Sequence, residues 1–148
     1  INIKALSKLT KHFLPMIIKA KQGGILNVAS TAAFCSGPKM AAYYGSKAYV
    51  LNLTEAIHEE VKKDGIKVSC LCPGPVKTSF QAKAGIEKSE GAKKYLMEAK
   101  DVAKEGYKGF KKGKAIIVPG IKNKFLVNIN KFVPRSIVRK IVLKTNEK

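Results

Sequence analysis

A tyrosine and a lysine separated by three residues, Tyr43 and Lys47, form the chemically most suggestive pattern in this 148-residue chain. Residues four apart share one face of an α-helix, so this spacing sets an ammonium group beside a phenol. A free phenol has a pKa of about 10, and lowering it by about three units requires roughly 4 kcal/mol. A cation about 4 Å away supplies on the order of 4 kcal/mol at an effective dielectric constant near 20. The pair is therefore sufficient to make a tyrosine acid or base that works at neutral pH.

A serine upstream of this pair extends the same chemistry. Residues 25–29 predict a buried strand, and Ser30 follows it directly. Ligands of α/β proteins bind beyond the carboxyl ends of the strands. A hydroxyl placed there can hydrogen-bond a carbonyl or alcohol oxygen, so the three side chains suit proton transfer coupled to hydride transfer. The competing interpretation is a capping serine, a helix-start tyrosine and a surface lysine.

These residues, together with two further segments, resemble the short-chain dehydrogenase/reductase family. Ser30, Tyr43 and Lys47 match the family's catalytic serine and its tyrosine-x-x-x-lysine motif, and Asn2 matches its helix asparagine. Residues 73–78, with the sequence Pro-Gly-Pro-Val-Lys-Thr, resemble the loop that packs on the nicotinamide. On this resemblance the residues that bind the cofactor are Tyr43, Lys47, Pro73, Gly74, Val76 and Thr78.

The resemblance implies an NAD(P)-dependent oxidoreductase that interconverts an alcohol and a carbonyl in a small-molecule substrate. Tyr43 would move the proton, Ser30 would orient the oxygen, and Lys47 would assist the tyrosine and hydrogen-bond the nicotinamide ribose. Asn2 would hold a water in a proton relay. The sequence does not distinguish NAD from NADP, nor does it name the substrate. The alternative function is a non-catalytic binding or membrane-associated module that keeps the fold.

The family's Gly-rich turn, which holds the cofactor pyrophosphate at a helix N-terminus, has no counterpart in this sequence. Gly106, Gly109 and Gly113 fall instead in a lysine-rich helical pattern. We therefore expect the C-terminal portion of a Rossmann-like α/β fold, in a fragment that is inactive by itself. Residues 1–120 are assigned to this part of the catalytic domain, and residues 121–148 to a basic amphipathic helical extension.

The hydrophobic pattern predicts the elements that must position these side chains. Strands alternating with helices form a parallel sheet with flanking helices and right-handed crossovers. The two long helices match those through which family members commonly dimerise, so we expect a homo-oligomer. Helices are predicted at 2–21, 41–63, 89–112, 121–131 and 134–144, strands at 25–29, 66–72 and 115–118, and loops at 30–40 and 73–88. For the helix at 89–112, the alternative is a break near Lys100 and Asp101, which resemble a fresh helix start.

The net charge is +19, from 29 Lys and Arg against 10 Asp and Glu. Such an excess raises the question of nucleic-acid binding. Only Arg135 and Arg139 are arginines, whereas base recognition favours arginine, so we predict a solvated lysine-rich surface and no nucleic-acid partner. The apolar and basic pattern of 121–144 fits a membrane-surface helix pair or helices that pack on the core, and we favour packing.

The cysteines and histidines carry less information. Cys35, Cys70 and Cys72 are odd in number and do not suit a disulfide framework. Cys70 and Cys72 lie two residues apart in a predicted strand, so they face the same side and resemble small buried hydrophobes in a reducing cytosol, which predicts a cytoplasmic protein. Their spacing to His12 and His58 is not that of a zinc site, so no metal is predicted. Both histidines lie among lysines and glutamates and are predicted to be surface residues.

Overall fold

The structure is a computed structural model, and it describes residues 2–77 and 96–146. Short 3₁₀ turns at Thr31–Phe34 and Lys62–Asp64 connect regular elements. The helices are α1 Lys4–Ala20, α2 Ala41–Val61, α3 Ala99–Lys111, α4 Ile121–Ile129 and α5 Arg135–Asn146. The strands are β1 Gly24–Val28, β2 Lys67–Leu71, β3 Val76–Lys77, β4 Met97–Glu98 and β5 Ile116–Ile117.

A parallel three-stranded sheet in the order β1-β2-β5 forms the centre of the fold. Gly24 lies opposite Lys67 at one end of the β1–β2 ladder. The β2–β5 ladder covers only two residue pairs and begins with Cys70 opposite Ile116. The two pairings of this sheet are each reached through a crossover that contains a helix, as parallel strands usually require. The predicted Rossmann-like parallel sheet with flanking helices is confirmed.

Successive side chains of a strand point to opposite faces of a sheet, and helices cover both faces of β2. On one face, Val68 packs in a cluster with Ile57 and Val61 of α2, and α1 adds apolar side chains to the same cluster. On the other face, Leu71 packs with Val102 of α3. The strand is thus buried on both sides, as is usual for a parallel sheet.

Two glycines allow α3 to lie close to the sheet. A Cβ atom added at Gly109 would lie 2.7 Å from the Ile117 side chain, and one at Gly106 would lie 3.0 Å from Leu71. Both glycines therefore serve close helix–sheet packing, in line with the helical pattern expected for them.

The predicted helix at 89–112 is wrong in part. Residues Met97 and Glu98 form β4 and pair with Val76 and Lys77, so the helix begins only at Ala99. The backbone of Met97 and Glu98 pairs with β3 instead of forming a helical turn. A strand of two residues has no hydrophobic period, so the sequence pattern could not reveal it. Residues 78–95 lie outside the described residues.

The surface prediction for His58 is also wrong, although the one for His12 is confirmed. His58 is only 7% exposed, and its Nδ1 lies 2.6 Å from the carbonyl oxygen of Val68. A carbonyl only accepts, so Nδ1 carries the proton. The backbone N–H and C=O of Cys70 point towards β5. Because these groups alternate in direction along a strand, those of Val68 point the same way, but Val68 lies outside the two residues of β2 that pair with β5. His58 supplies the donor that the ladder does not.

We expect His58→Phe to lower the free energy of unfolding of the full-length protein by about 1–3 kcal/mol, because it keeps a ring but leaves a buried carbonyl unpaired. Urea denaturation measures the change. His12→Phe is the matched control on the exposed face of α1 and should shift stability by no more than about 0.5 kcal/mol. Equal effects of the two substitutions would contradict the role assigned to His58.

One edge of the sheet is open within the described part of the chain, where β1 pairs with β2 alone. A groove runs beside this edge between α1 and β1, and Leu9, Phe13 and Val28 are among its lining residues. Their side chains are about half exposed. In the ranges 2–77 and 96–146, no helix has the length and apolarity needed to cross a bilayer.

Candidate active site

Ser30 lies at the carboxyl edge of the sheet, two residues after β1 ends at Val28. It caps the 3₁₀ turn that follows, and its Oγ accepts a hydrogen bond from the backbone N–H of Ala32 at 3.1 Å. The neighbouring Thr31 N–H donates to the carbonyl of Pro73 at 2.9 Å and ties the ends of β1 and β2 together. Because Oγ already accepts from Ala32, its own proton remains to be donated elsewhere.

Tyr43 and Lys47 lie on successive turns at the start of α2. The Lys47 Nζ is 5.9 Å from the centroid of the Tyr43 ring and donates a hydrogen bond to the carbonyl of Val28 at 3.1 Å. The lysine thus reaches from α2 to the end of the strand that leads to Ser30. The Tyr43 ring is 41% exposed, so it is open to a reactant.

The Lys47 side chain is partly buried and so partly shielded from water. Burial lowers the pKa of its ammonium group, and the nearby Cys70 and Cys72 side chains oppose this shift. The two sulfurs lie 3.7 Å apart and are fully buried, as their spacing predicts. The hydrogen bond to Cys70 and burial both raise the pKa of Cys72, so this thiol is neutral.

Asn2 is attached to the same helix through a serine. Its Nδ2 donates to Ser46 Oγ at 3.2 Å, and Ser46 Oγ donates to the backbone carbonyl of Tyr43 at 2.7 Å. Asn2 also lines the groove beside β1. The structure therefore brings Asn2 to the turn that carries Tyr43 and Lys47, with Ser46 as its hydrogen-bond partner.

The segment after β2 lies at the same sheet edge. Pro73 and Gly74 follow the strand, and Val76 begins β3 opposite Met97. A Cβ atom at Gly74 would lie 2.4 Å from Oδ1 of Asn123, so glycine is required for this approach. The remaining predicted cofactor residue, Thr78, lies outside the described residues.

The chain has matches among known proteins. A family model described as short chain dehydrogenase matches residues 1–89. The chain belongs to this family. A human relative, dehydrogenase/reductase SDR family member 4, is 38% identical over 90 residues, which are 61% of this chain and 32% of the relative.

Two solved structures show how much of their fold this chain shares. A structure from a study of 7beta-hydroxysteroid dehydrogenase stereoselectivity aligns with a TM-score of 0.85 at 20% identity, over 96% of this chain and 56% of that one. A short-chain dehydrogenase from Sphingobium yanoikuyae in complex with NADPH aligns with a TM-score of 0.71 at 24% identity, over 88% and 52%. This short-chain dehydrogenase chain thus spans about a third of its curated human relative and about half of these structures.

Sequence reasoning missed two polar residues of this short-chain dehydrogenase site. Asn123, in the first turn of α4, is buried, and its Nδ2 donates to the Pro119 carbonyl at 2.9 Å while its carboxamide rests on Gly74. The sequence feature that could have identified Asn123 is its position four residues before Val127, which places both on the inward face of α4. Ser46 carried no signal beyond its place inside the tyrosine–lysine motif.

Tyr44 is engaged elsewhere in the short-chain dehydrogenase fold. Its ring lies over Gly37, where a Cβ would be 2.1 Å from the ring, and meets the Tyr43 ring edge to face. Burial raises the pKa of Tyr44, and a hydrogen bond with the Asn146 side chain lowers it. Asn146, the last residue of α5, also donates to the Pro38 carbonyl at 2.8 Å. Tyr44 thus joins α2 to the end of α5.

Proposed function

We propose that this chain carries the catalytic part of an NAD(P)-dependent oxidoreductase that interconverts an alcohol and a carbonyl. The observation that supports this most strongly is the meeting of three groups at one sheet edge. Ser30 follows β1, and Lys47 joins the last residue of β1 to the turn of α2 that bears Tyr43. The relatives described above are named as dehydrogenases or reductases, which supports this assignment.

In the reductive direction, the Tyr43 hydroxyl gives its proton to the oxygen of the substrate carbonyl, and the phenolate that remains is stabilised by the Lys47 ammonium. The Ser30 hydroxyl donates a hydrogen bond to the same oxygen, because its bond with Ala32 uses only a lone pair and leaves its proton available. The hydride to the carbonyl carbon would come from NAD(P)H bound at this edge. We assign the proton relay behind Lys47 to Asn2, which is attached to α2 through Ser46.

The residues present fit the nicotinamide end of the cofactor. Pro73 and Gly74 lie beside Ser30, since the Pro73 carbonyl is bonded to Thr31, and the Lys47 ammonium offers further donors to a ribose hydroxyl. We propose Val76 as a further cofactor contact, and Thr78 stays a prediction of the family resemblance. The NADPH complex of the Sphingobium yanoikuyae relative supports a dinucleotide ligand, and we propose NAD or NADP for this chain.

The adenosine and pyrophosphate of a dinucleotide need groups that we do not find among the described residues. We therefore propose that residues 1–120 form the C-terminal part of the catalytic domain of a longer protein, followed by an extension at 121–148, and that the 148 residues alone are inactive. The half-length match to solved structures and the open edge of β1 support this. We further propose a cytoplasmic homo-oligomer built through α1 and α2, since Met16 of α1 and Tyr49 of α2 are exposed and the described cysteines are free thiols.

The proposal is tested with the full-length protein, a panel of ketones and NADH or NADPH deuterated at the transferable position. We expect one cofactor to be oxidised and the deuterium to appear on the carbinol carbon of the product. Mass spectrometry of the alcohol and the nicotinamide absorbance measure the two events. Binding of NAD(P)H without any label transfer across the panel would favour the non-catalytic binding module instead.

A further inference from the structure

Helices α4 and α5 expose many large apolar side chains. The inward face of α4 carries buried Asn123 and Val127, and that of α5 carries buried Val138. The exposed side chains lie outside these buried positions, and the most exposed are Ile121 and Phe132, at 85% each. The full exposed apolar set of this segment is Ile121, Phe125, Leu126, Ile129, Phe132, Ile137 and Ile141.

The same segment is uniformly basic. Residues 121–146 contain no aspartate or glutamate. Its charged residues are Lys122, Lys124, Lys131, Arg135, Arg139, Lys140 and Lys144. We call this combination of exposed apolar and basic side chains on α4 and α5 the basic apolar surface.

We propose that the basic apolar surface docks on a lipid bilayer that carries anionic headgroups. Amphipathic helices that lie in the membrane interface bury an apolar face at the acyl boundary, while lysine and arginine contact the headgroups. Ile121, Phe125 and Ile129 recur every four residues and form one such apolar stripe on α4. Each basic side chain near an anionic leaflet adds to the attraction.

The other occupants fit the surface less well. A second copy would bring its own seven positive charges against these seven, and like charges repel. A nucleic acid would neutralise the charge but leave aliphatic side chains such as Ile121 and Ile141 without an apolar partner. β5 lies at the edge of the sheet opposite the open edge of β1, so strands added at β1 do not pair with β5, after which this surface begins in the chain.

Vesicle flotation of the full-length protein tests the proposal, with phosphatidylcholine vesicles that either contain or lack phosphatidylserine. We expect flotation with phosphatidylserine, weaker flotation at high salt, and little with phosphatidylcholine alone. The double variant Phe125→Ser/Phe132→Ser should reduce partitioning on the order of tenfold or more, because the apolar contribution is lost. Arg139→Glu/Lys140→Glu should reduce it by a similar factor on the anionic vesicles.

Substitutions on α3 serve as controls. Tyr107→Ser removes an exposed large side chain, and Lys104→Glu/Lys108→Glu reverses comparable charges. Both should leave flotation unchanged. Equal losses in the α3 variants, equal binding to neutral vesicles, or no flotation would overturn the proposal. So would light scattering or RNA titration showing that Phe125→Ser/Phe132→Ser abolishes dimerisation or RNA binding instead. Turnover of a water-soluble ketone by the α4–α5 variants checks the fold, and it keeps this test separate from that of the oxidoreductase.

Discussion

Replacing Tyr43 by phenylalanine should reduce turnover of the full-length enzyme by roughly 10²- to 10⁴-fold, because it removes the group that carries the proton to the substrate oxygen. The ring itself is retained, together with its edge contact to Tyr44. Since the Tyr43 side chain is 41% exposed, loss of its hydroxyl leaves no buried polar group unpaired. We therefore expect an unchanged denaturation midpoint beside a large loss of kcat, measured with saturating substrate and cofactor.

Tyr44→Phe is the matched control for this experiment. The Tyr44 hydroxyl bonds with Asn146 at the end of α5, on a side chain that packs over Gly37. Its removal should lower kcat no more than severalfold and should act through stability. Wild-type turnover in Tyr43→Phe, or a larger loss in Tyr44→Phe, would show that the proton carrier has been assigned to the wrong tyrosine.

Lys47→Met should lower kcat and weaken cofactor binding together, because one ammonium group serves both the tyrosine and the ribose. Methionine keeps the length of the apolar stem but removes the charge and the bond to the Val28 carbonyl. Loss of a charge-assisted hydrogen bond costs about 1.5–3 kcal/mol, which corresponds to roughly 10- to 150-fold in each quantity. Steady-state kinetics across pH and cofactor titration by fluorescence measure the two effects separately.

Lys63→Met provides the comparison, since Lys63 is exposed in the turn after α2. It should alter neither kcat nor cofactor affinity. A changed pH–rate profile of Lys47→Met with unaltered cofactor affinity would remove the ribose role, and two unaltered quantities would remove Lys47 from the mechanism.

The main sheet and its helices could be predicted from the sequence because each element carries its own signal. The predicted strand at 25–29 and the observed Gly24–Val28 differ by one residue, and glycines mark the ends of neighbouring helices. The β3–β4 ladder gave no signal, since two residues such as Val76 and Lys77 cannot display a period. Its existence depends on the partner segment at Met97.

The buried polar residues show a second limit on what can be predicted from the sequence. Thr54, Ile57, His58 and Val61 share the buried face of α2, a pattern visible in the sequence at intervals of three and four. What the sequence does not show is that β5 stops short of the Val68 carbonyl and leaves an acceptor for His58. Such a need is created by a strand far along the chain, so local patterns predict the position of a side chain better than its partner.

The parallel register also bears on how the protein folds. Gly24 pairs with Lys67, 43 positions away, and Cys70 pairs with Ile116, 46 positions away. Proteins dominated by such distant pairings lose the entropy of closing large loops before any stabilising contact forms, and they fold slowly. The bond between Thr31 and Pro73 can form only after β1 has found β2. We therefore expect the candidate catalytic groups to be assembled at a late kinetic step, after helices such as α2 have formed as local structure.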